Sequence, residues 1–142
     1  MLINQLLNAK GRHVFTVAPD DSLSSVAASL YTHKVGAFVV ADRVGRMVGI
    51  ISERDIIRAI ATNGPECLSC KAEDFMTRDV ISASPVESVE AMLDRMTDRR
   101  IRHLPVMENN RLIGIISIGD LVKARIEATE YEAYTLKAYI AG

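Results

Sequence analysis

Two heptapeptides, GIISERD over Gly49–Asp55 and GIISIGD over Gly114–Asp120, place a serine three residues before an aspartate. They agree at five of seven positions, and both differences fall between the serine and the aspartate. A serine between an apolar strand and a helix can accept a hydrogen bond from an orphan backbone N–H, and an acidic residue three positions on favours the first helical turn. The same spacing suits a second use. A helix N-terminus offers unpaired N–H groups to a phosphate. A carboxylate one turn on can accept both hydroxyls of a ribose, as an acidic residue does in dinucleotide-binding folds. The two uses are compatible, because the cap is what aims the aspartate. Ser52, Asp55, Ser117 and Asp120 are therefore the polar candidates.

Other chemistry finds little footing. The chain has no His-Glu-x-x-His, no Gly-x-Ser-x-Gly and no Walker lysine, and it is read as a non-enzyme. Cys67 and Cys70 form a lone Cys-x-x-Cys in GPECLSCKAEDFM, with no second pair or histidine cluster to complete four zinc ligands. That stretch reads as a linker rather than the strand-to-helix start of a redox motif. The three histidines are assigned to strand edges.

The heptapeptides close a longer repeat. Val14 and Val80, Pro19 and Pro85, Ser22 and Ser88, and Val40 and Val106 all lie 66 positions apart, whereas Gly49 and Gly114 lie 65 apart. The lost residue falls between ADRVGR and MENNR, in an expected hairpin loop where a deletion is best tolerated. Each copy opens with a β-branched segment ended by proline, HVFTVAP or DVISASP. Leu23, Val26, Ala27 and Leu30, like Val89, Met92, Leu93 and Met96, recur at helical spacing. Two apolar runs across a short polar loop then predict an antiparallel hairpin, and a second helix follows. The expected fold is mixed α/β (α+β), with two β-α-β-β-α repeats packed as a pseudo-twofold pair, since either repeat alone is too small to bury its sheet. The expected division is an N-terminal arm over 1–12, repeats over 13–64 and 79–126, a linker over 65–78 and a helical extension over 127–142.

On these motifs, together with MTRDVISASP and RRIRHLPVMENNRLIGIIS, the chain from about Val14 to Ile126 resembles a tandem pair of CBS domains, the family named after cystathionine β-synthase. The resemblance implies a regulatory module that binds an adenine nucleotide (AMP, ADP or ATP) or NAD as a ligand and signals energy or redox state. It makes Asp55 and Asp120 ribose acceptors, with Ser52 and Ser117 close to ribose or phosphate. It also implies shared clefts, in which Asp55 works with Val80, Ile81, Ile101, Arg102 and His103, and Asp120 with Val14, Phe15, Val35, Gly36 and Ala37. The apolar members would hold the adenine, with Ile50 and Ile115 as the opposite wall; for Phe38, Val39 and Val40 plain core is the better assignment. Arg102 and His103 resemble, in reversed order, a phosphate-contacting His-Arg pair of the regulatory γ subunit of AMP-activated protein kinase. The Asp120 cleft has Gly36 and Ala37 at the matching positions, so Lys10, Arg12 and His13 are its substitute cations.

The rest concerns partners. Seventeen basic and eighteen acidic residues leave a net charge of −1, which argues against nucleic acid and anionic membranes. An apolar share of 49% supports a real core, and no apolar run approaches the ~20 residues of a membrane span, so a soluble, cytoplasmic protein is expected. The last helix, expected from about Ile118 to Ile140, carries Tyr131, Tyr134, Leu136 and Tyr139 beyond the repeat. It either docks a partner or folds back on its own domain. A homodimer and a separate regulated protein are the expected partners; the alternative is an interaction module with vestigial clefts.

Overall fold

Serine hydroxyls start both helices that the apolar spacing predicts. In the computed structural model, which describes residues 1–141, Ser22 Oγ accepts the Ser25 N–H and Ser88 Oγ the Ala91 N–H, each at 3.1 Å. In chain order the elements are α1 (Ile3–Lys10), β1 (Thr16–Val17), α2 (Leu23–His33), β2 (Ala37–Ala41), β3 (Met47–Ser52) and α3 (Glu53–Asn63). Short 3-10 turns follow at Pro65–Ser69 and Ala72–Asp74, then α4 (Val89–Arg99), β4 (His103–Glu108), β5 (Arg111–Ser117) and α5 (Ile118–Ala141). Both capped helices end at a left-handed residue, Lys34 (φ 55°) or Arg100 (φ 53°), whose N–H returns to the last turn.

The chain divides into two units. Residues 13–81 form the first, and residues 1–12 together with the chain from Ser82 onward form the second. In the first unit β1 pairs parallel with β2, which pairs antiparallel with β3. Val26, Val40 and Ile51 are fully buried there, beside Phe38. In the second, β4 and β5 form a hairpin over buried Met92, Met96, Leu104, Val106 and Ile116. The expected opening strand of the second repeat shrinks to a single bridge between Ala83 and Val106. Side chains take its backbone groups: the Glu87 carboxylate accepts the Ser84 N–H at 2.9 Å, and Arg95 donates to the Ser82 carbonyl at 2.9 Å. Local side-chain bonds of this kind compete directly with a ladder.

The hairpin loops explain the 65-versus-66 offset. Asn109 (φ 52°) and Asn110 (φ 62°) turn the second hairpin in two residues, as paired left-handed residues do. The first hairpin needs three between Asp42 and Arg46, with Gly45 at φ 91° and the Asp42 carboxylate accepting the Val44 and Arg46 N–H groups.

Each unit is completed by a strap. The segment expected to be a linker packs on the first repeat: Ala72 and Glu73 donate N–H bonds to the carbonyls of Asp21 and Pro19, and Leu23 donates to Cys70. Cys67, Ala72 and Met76 join the core, so Cys67 is a buried thiol rather than a linker one. In the second unit Ile3 and Asn4 donate to Glu87 and Pro85, and Val89 donates to Met1. Residues 1–4 thus repeat the bonding of residues 70–73, and α1 is the strap of the second repeat, with Ile3, Leu6 and Leu7 buried.

The straps account for the glycines that open both heptapeptides. A Cβ on Gly49 would lie 2.5 Å from Met76 Sδ and 2.8 Å from the Thr77 carbonyl oxygen. On Gly114 it would lie 2.7 Å from Leu7 Cδ2, with no backbone atom among the nearest neighbours. Because a leucine terminus yields more easily than backbone, Gly49→Ala should cost ~2–3 kcal/mol and Gly114→Ala ~1 kcal/mol, in the range of core overpacking. Urea unfolding of both variants checks the order; equal losses would contradict it.

Candidate functional site

The strand-to-helix joints are built alike. Where β3 meets α3, the Ser52 N–H and O–H donate to Asp55 Oδ2 at 2.8 and 3.1 Å, and Ser52 Oγ lies 3.3 Å from the Asp55 N–H that it accepts. Where β5 meets α5, the Ser117 N–H donates to Asp120 Oδ2 at 2.9 Å and Ser117 Oγ accepts the Asp120 N–H at 3.1 Å. These are reciprocal capping boxes, with aspartate in the place usually held by glutamate or glutamine. The first helical N–H is satisfied from the neighbouring strand's lead-in: Glu53 donates to the Gly36 carbonyl at 3.0 Å and Ile118 to the Arg102 carbonyl at 2.8 Å. Ala37 stands opposite Ser52 and His103 opposite Ser117. Within each unit, Gly36 and Ala37 thus flank the Asp55 joint, and Arg102 and His103 flank the Asp120 joint.

The joints differ in what holds the carboxylate. Asp55 is 8% exposed, the one charged residue buried among those described. Arg58, one turn on, approaches its Oδ1 to 3.5 Å. Sequence reasoning passed over Arg58, although its (i, i+3) spacing from Asp55 was visible. Asp120 keeps 28% of its side chain exposed and pairs with Lys10 Nζ at 2.5 Å. The same ammonium donates to the Ile115 carbonyl at 2.6 Å. In the first unit the equivalent Ile50 carbonyl accepts the Thr77 N–H at 2.9 Å, and the Ile50 N–H donates back to Thr77. A helical strap cannot offer an extended backbone edge, so a lysine from α1 bonds the carbonyl instead. Burial alone would raise the Asp120 carboxyl, but the Lys10 ammonium and the Ser117 N–H together outweigh it and leave the group below its ordinary value.

The other candidates are dispersed within their units. Arg12, expected near Asp120, turns back on α1 and donates to the side-chain carbonyls of Asn4 and Asn8. His13 stacks edge-on against Phe15 (centroids 4.5 Å apart), and Phe15 lies 4.3 Å from His33. His33 is not at a strand edge: it ends α2, and its Nδ1 donates to the Ser29 carbonyl at 2.9 Å. Val35 and Ile101 close the turns after α2 and α4 through N–H bonds to Leu30 and Met96. Val14, Val80 and Ile81 are half-buried, and Arg102 is exposed.

A separate groove of about 830 Å³ runs along α2 and α3, walled by Tyr31, Lys34, Val35, Gly36, Ile56 and Ile57. Neither Ser52 nor Asp55 lines it, so it is not the seat of the carboxylate. No group of three or more His, Cys, Asp or Glu side chains among the described residues is placed to hold a metal. No described helix is long and apolar enough to cross a membrane.

The CBS-domain family model matches residues 11–62 and again 72–127. The mitochondrial CBS domain-containing protein CBSX3 of Arabidopsis thaliana is 35% identical over 148 aligned positions, covering 99% of this chain and 72% of that protein. A crystal structure of a CBS-domain protein from Agrobacterium tumefaciens superposes with a TM-score of 0.86 at 44% identity, covering 87% of this chain and 92% of that one. The CBS domain pair of protein MJ0100, solved in complex with 5′-methylthioadenosine and S-adenosyl-L-methionine, superposes with a TM-score of 0.76 at 28% identity, covering 92% of this chain and 98% of that one.

The Lys10–Asp120 pair has a pH signature. A depressed carboxylate contributes stability above its unfolded pKa and loses it as the pH falls through the folded value. Lys10→Met should therefore lower the melting temperature at pH 7, with the gap to wild type closing as the pH falls below the ordinary aspartate range. Thermal melts from pH 7 to strong acid check this; a gap that stays constant with pH would contradict it.

Proposed function

The chain belongs to the CBS-domain family, and we propose that it is a regulatory module whose Ser-x-x-Asp joints accept the ribose of an adenosine-containing ligand. One observation carries the reading. The same reciprocal joint occurs twice, and each time it holds a carboxylate at a helix start beside a strand's lead-in. The capping bonds engage Oδ2 of each aspartate, and the other lone pairs suit a pair of ribose hydroxyls. Ile50 and Ile115, half-buried and two residues before the serines, are the proposed apolar walls. The relative MJ0100, which binds adenosine-containing ligands, supports the ligand class.

The two seats are not equivalent, and we assign the stronger binding to Asp120. Its carboxylate is the more accessible, and Lys10 stands beside it to meet a phosphate or another anionic substituent. Arg102 and His103, which the family resemblance assigns to Asp55 and not to Asp120, remain proposed phosphate contacts. AMP, ADP, ATP and NAD fit this pattern. On this reading the module is non-catalytic and passes occupancy to a separate protein; a coupling of ~1–3 kcal/mol is enough for such a signal. We also read the module as a homodimer, because the α2–α3 groove leaves Tyr31 and Ile57 exposed. The rival reading, an interaction scaffold with vestigial seats, draws on the completeness of the caps, which explain the serines and aspartates without any ligand.

Asp→Asn variants separate the two readings, since an amide oxygen still accepts the serine N–H and keeps the cap. Ligand at 100 times its dissociation constant should add about 2.7 kcal/mol to wild type, a shift of several degrees at this size. Asp120→Asn should abolish most of that shift, while its ligand-free melting point falls only about as far as that of Lys10→Met, since both variants lose the same ion pair. The absence of any shift with AMP, ADP, ATP, NAD, 5′-methylthioadenosine or S-adenosylmethionine, in protein shown to be ligand-free, would leave the joints as helix caps.

A further inference from the structure

We propose that α5 is one strand of a parallel two-stranded coiled coil formed with a second copy of this chain. This deepens the homodimer reading above, rests on it, and names the seam, orientation and register.

The seam is unpartnered within the chain. Of α5's 24 residues only Leu121 and Ala124 are buried, and every described residue from Thr129 onward is exposed. Val122, Ile126, Thr129, Ala133, Leu136 and Ile140 follow one another at spacings of 4, 3, 4, 3 and 4. That alternation is the 3.5-residue repeat of a coiled-coil seam. Its large members are 43% (Val122), 52% (Ile126), 59% (Leu136) and 75% (Ile140) exposed. Placing Ile126, Ala133 and Ile140 at a, and Val122, Thr129 and Leu136 at d, puts isoleucine at two a positions, leucine at one d position and valine at another. Isoleucine at a with leucine at d, as in the half of the seam around Leu136 and Ile140, favours two parallel strands.

The flanking charges select the orientation. In this register Arg125 and Glu132 occupy g, while Lys123, Glu130 and Lys137 occupy e. In a parallel pair each g residue meets the e residue five positions on in the other strand. Arg125 then faces Glu130, and Glu132 faces Lys137. A fully overlapped antiparallel pair instead sets Glu130 against Glu130, Glu132 against Glu132 and Lys123 against Lys137, all like charges. Within one helix, none of Glu130, Glu132 and Lys137 has an opposite charge three or four positions away. No ion pair joins any of them to another described residue. Arg125 does bond Glu90 within its own chain at 3.0 Å, so the Glu132–Lys137 pair is the cleaner probe.

Sedimentation equilibrium on the full chain tests this with Glu132→Lys, Lys137→Glu and their equimolar mixture, all at exposed positions. The parallel seam requires each single variant to self-associate about tenfold more weakly than wild type, a cost near two like-charge contacts per dimer. The mixture should recover wild-type affinity, since both crossed pairs are then opposite in charge. A dimeric wild type whose variants are unchanged, or in which Lys137→Glu associates more tightly through Lys123, overturns the parallel coil and leaves the homodimer standing. A wild type that stays monomeric throughout the micromolar range overturns both.

Discussion

Everything at the proposed ligand seats depends on a carboxylate that bonds backward across a strand-to-helix joint. Asp55 and Asp120 each take the N–H of the serine three residues before, and each gives its own N–H to that serine's hydroxyl. As a cap, such a joint contributes about 1 kcal/mol. Its larger consequence is electrostatic. Asp55 is buried, and the serine N–H and hydroxyl supply donors that a buried carboxyl group needs. On the proposed reading, stability and ligand binding draw on the same atoms, and the cap supplies the orientation that a ribose acceptor needs.

The duplication around these joints reaches further than the heptapeptides. Residues 1–4 and 70–73 make matching main-chain bonds to matching positions of the second and first repeats, although each strap precedes the other repeat in the chain. The straps then diverge in a way that changes chemistry. The first ends in an extended edge that satisfies Ile50 with backbone groups, whereas the second is the helix α1 and satisfies Ile115 with the Lys10 ammonium. One substitution of backbone by side chain thus brings a cation to Asp120 and none of its kind to Asp55.

Much of this was legible in the residues because it rests on local periodicity and on duplication. The helix spacing of Leu23, Val26 and Leu30, the serine caps, the hairpins and the displaced loop residue are all short-range signals, and each is found in the structure. Lys10 was legible as a cation near Asp120; Arg12 was not separable from it, because its diversion to Asn4 and Asn8 is decided by the turn after α1. The strand expected at DVISASP is cut to one bridge where Glu87 and Arg95, neither of which the sequence singled out, capture backbone groups. The straps were illegible as such: polar stretches like GPECLSCKAEDFM carry no period, and only tertiary bonding makes Cys67 and Met76 core residues. Of the seam proposed on α5, the sequence singled out Leu136 but not Val122 or Ile126, whose exposure is decided by tertiary packing.

The central claim is that these carboxylates accept ribose hydroxyls, and the most direct measurement removes the hydroxyls rather than the carboxylates. Calorimetric titration of the wild-type protein with an adenosine ligand and with its 2′,3′-dideoxy analogue leaves every capping bond intact. Loss of two hydrogen bonds to a charged acceptor should weaken binding by roughly 100-fold or more. Equal affinity for the two ligands would contradict the account, since Asp55 and Asp120 would then have no part in holding the sugar.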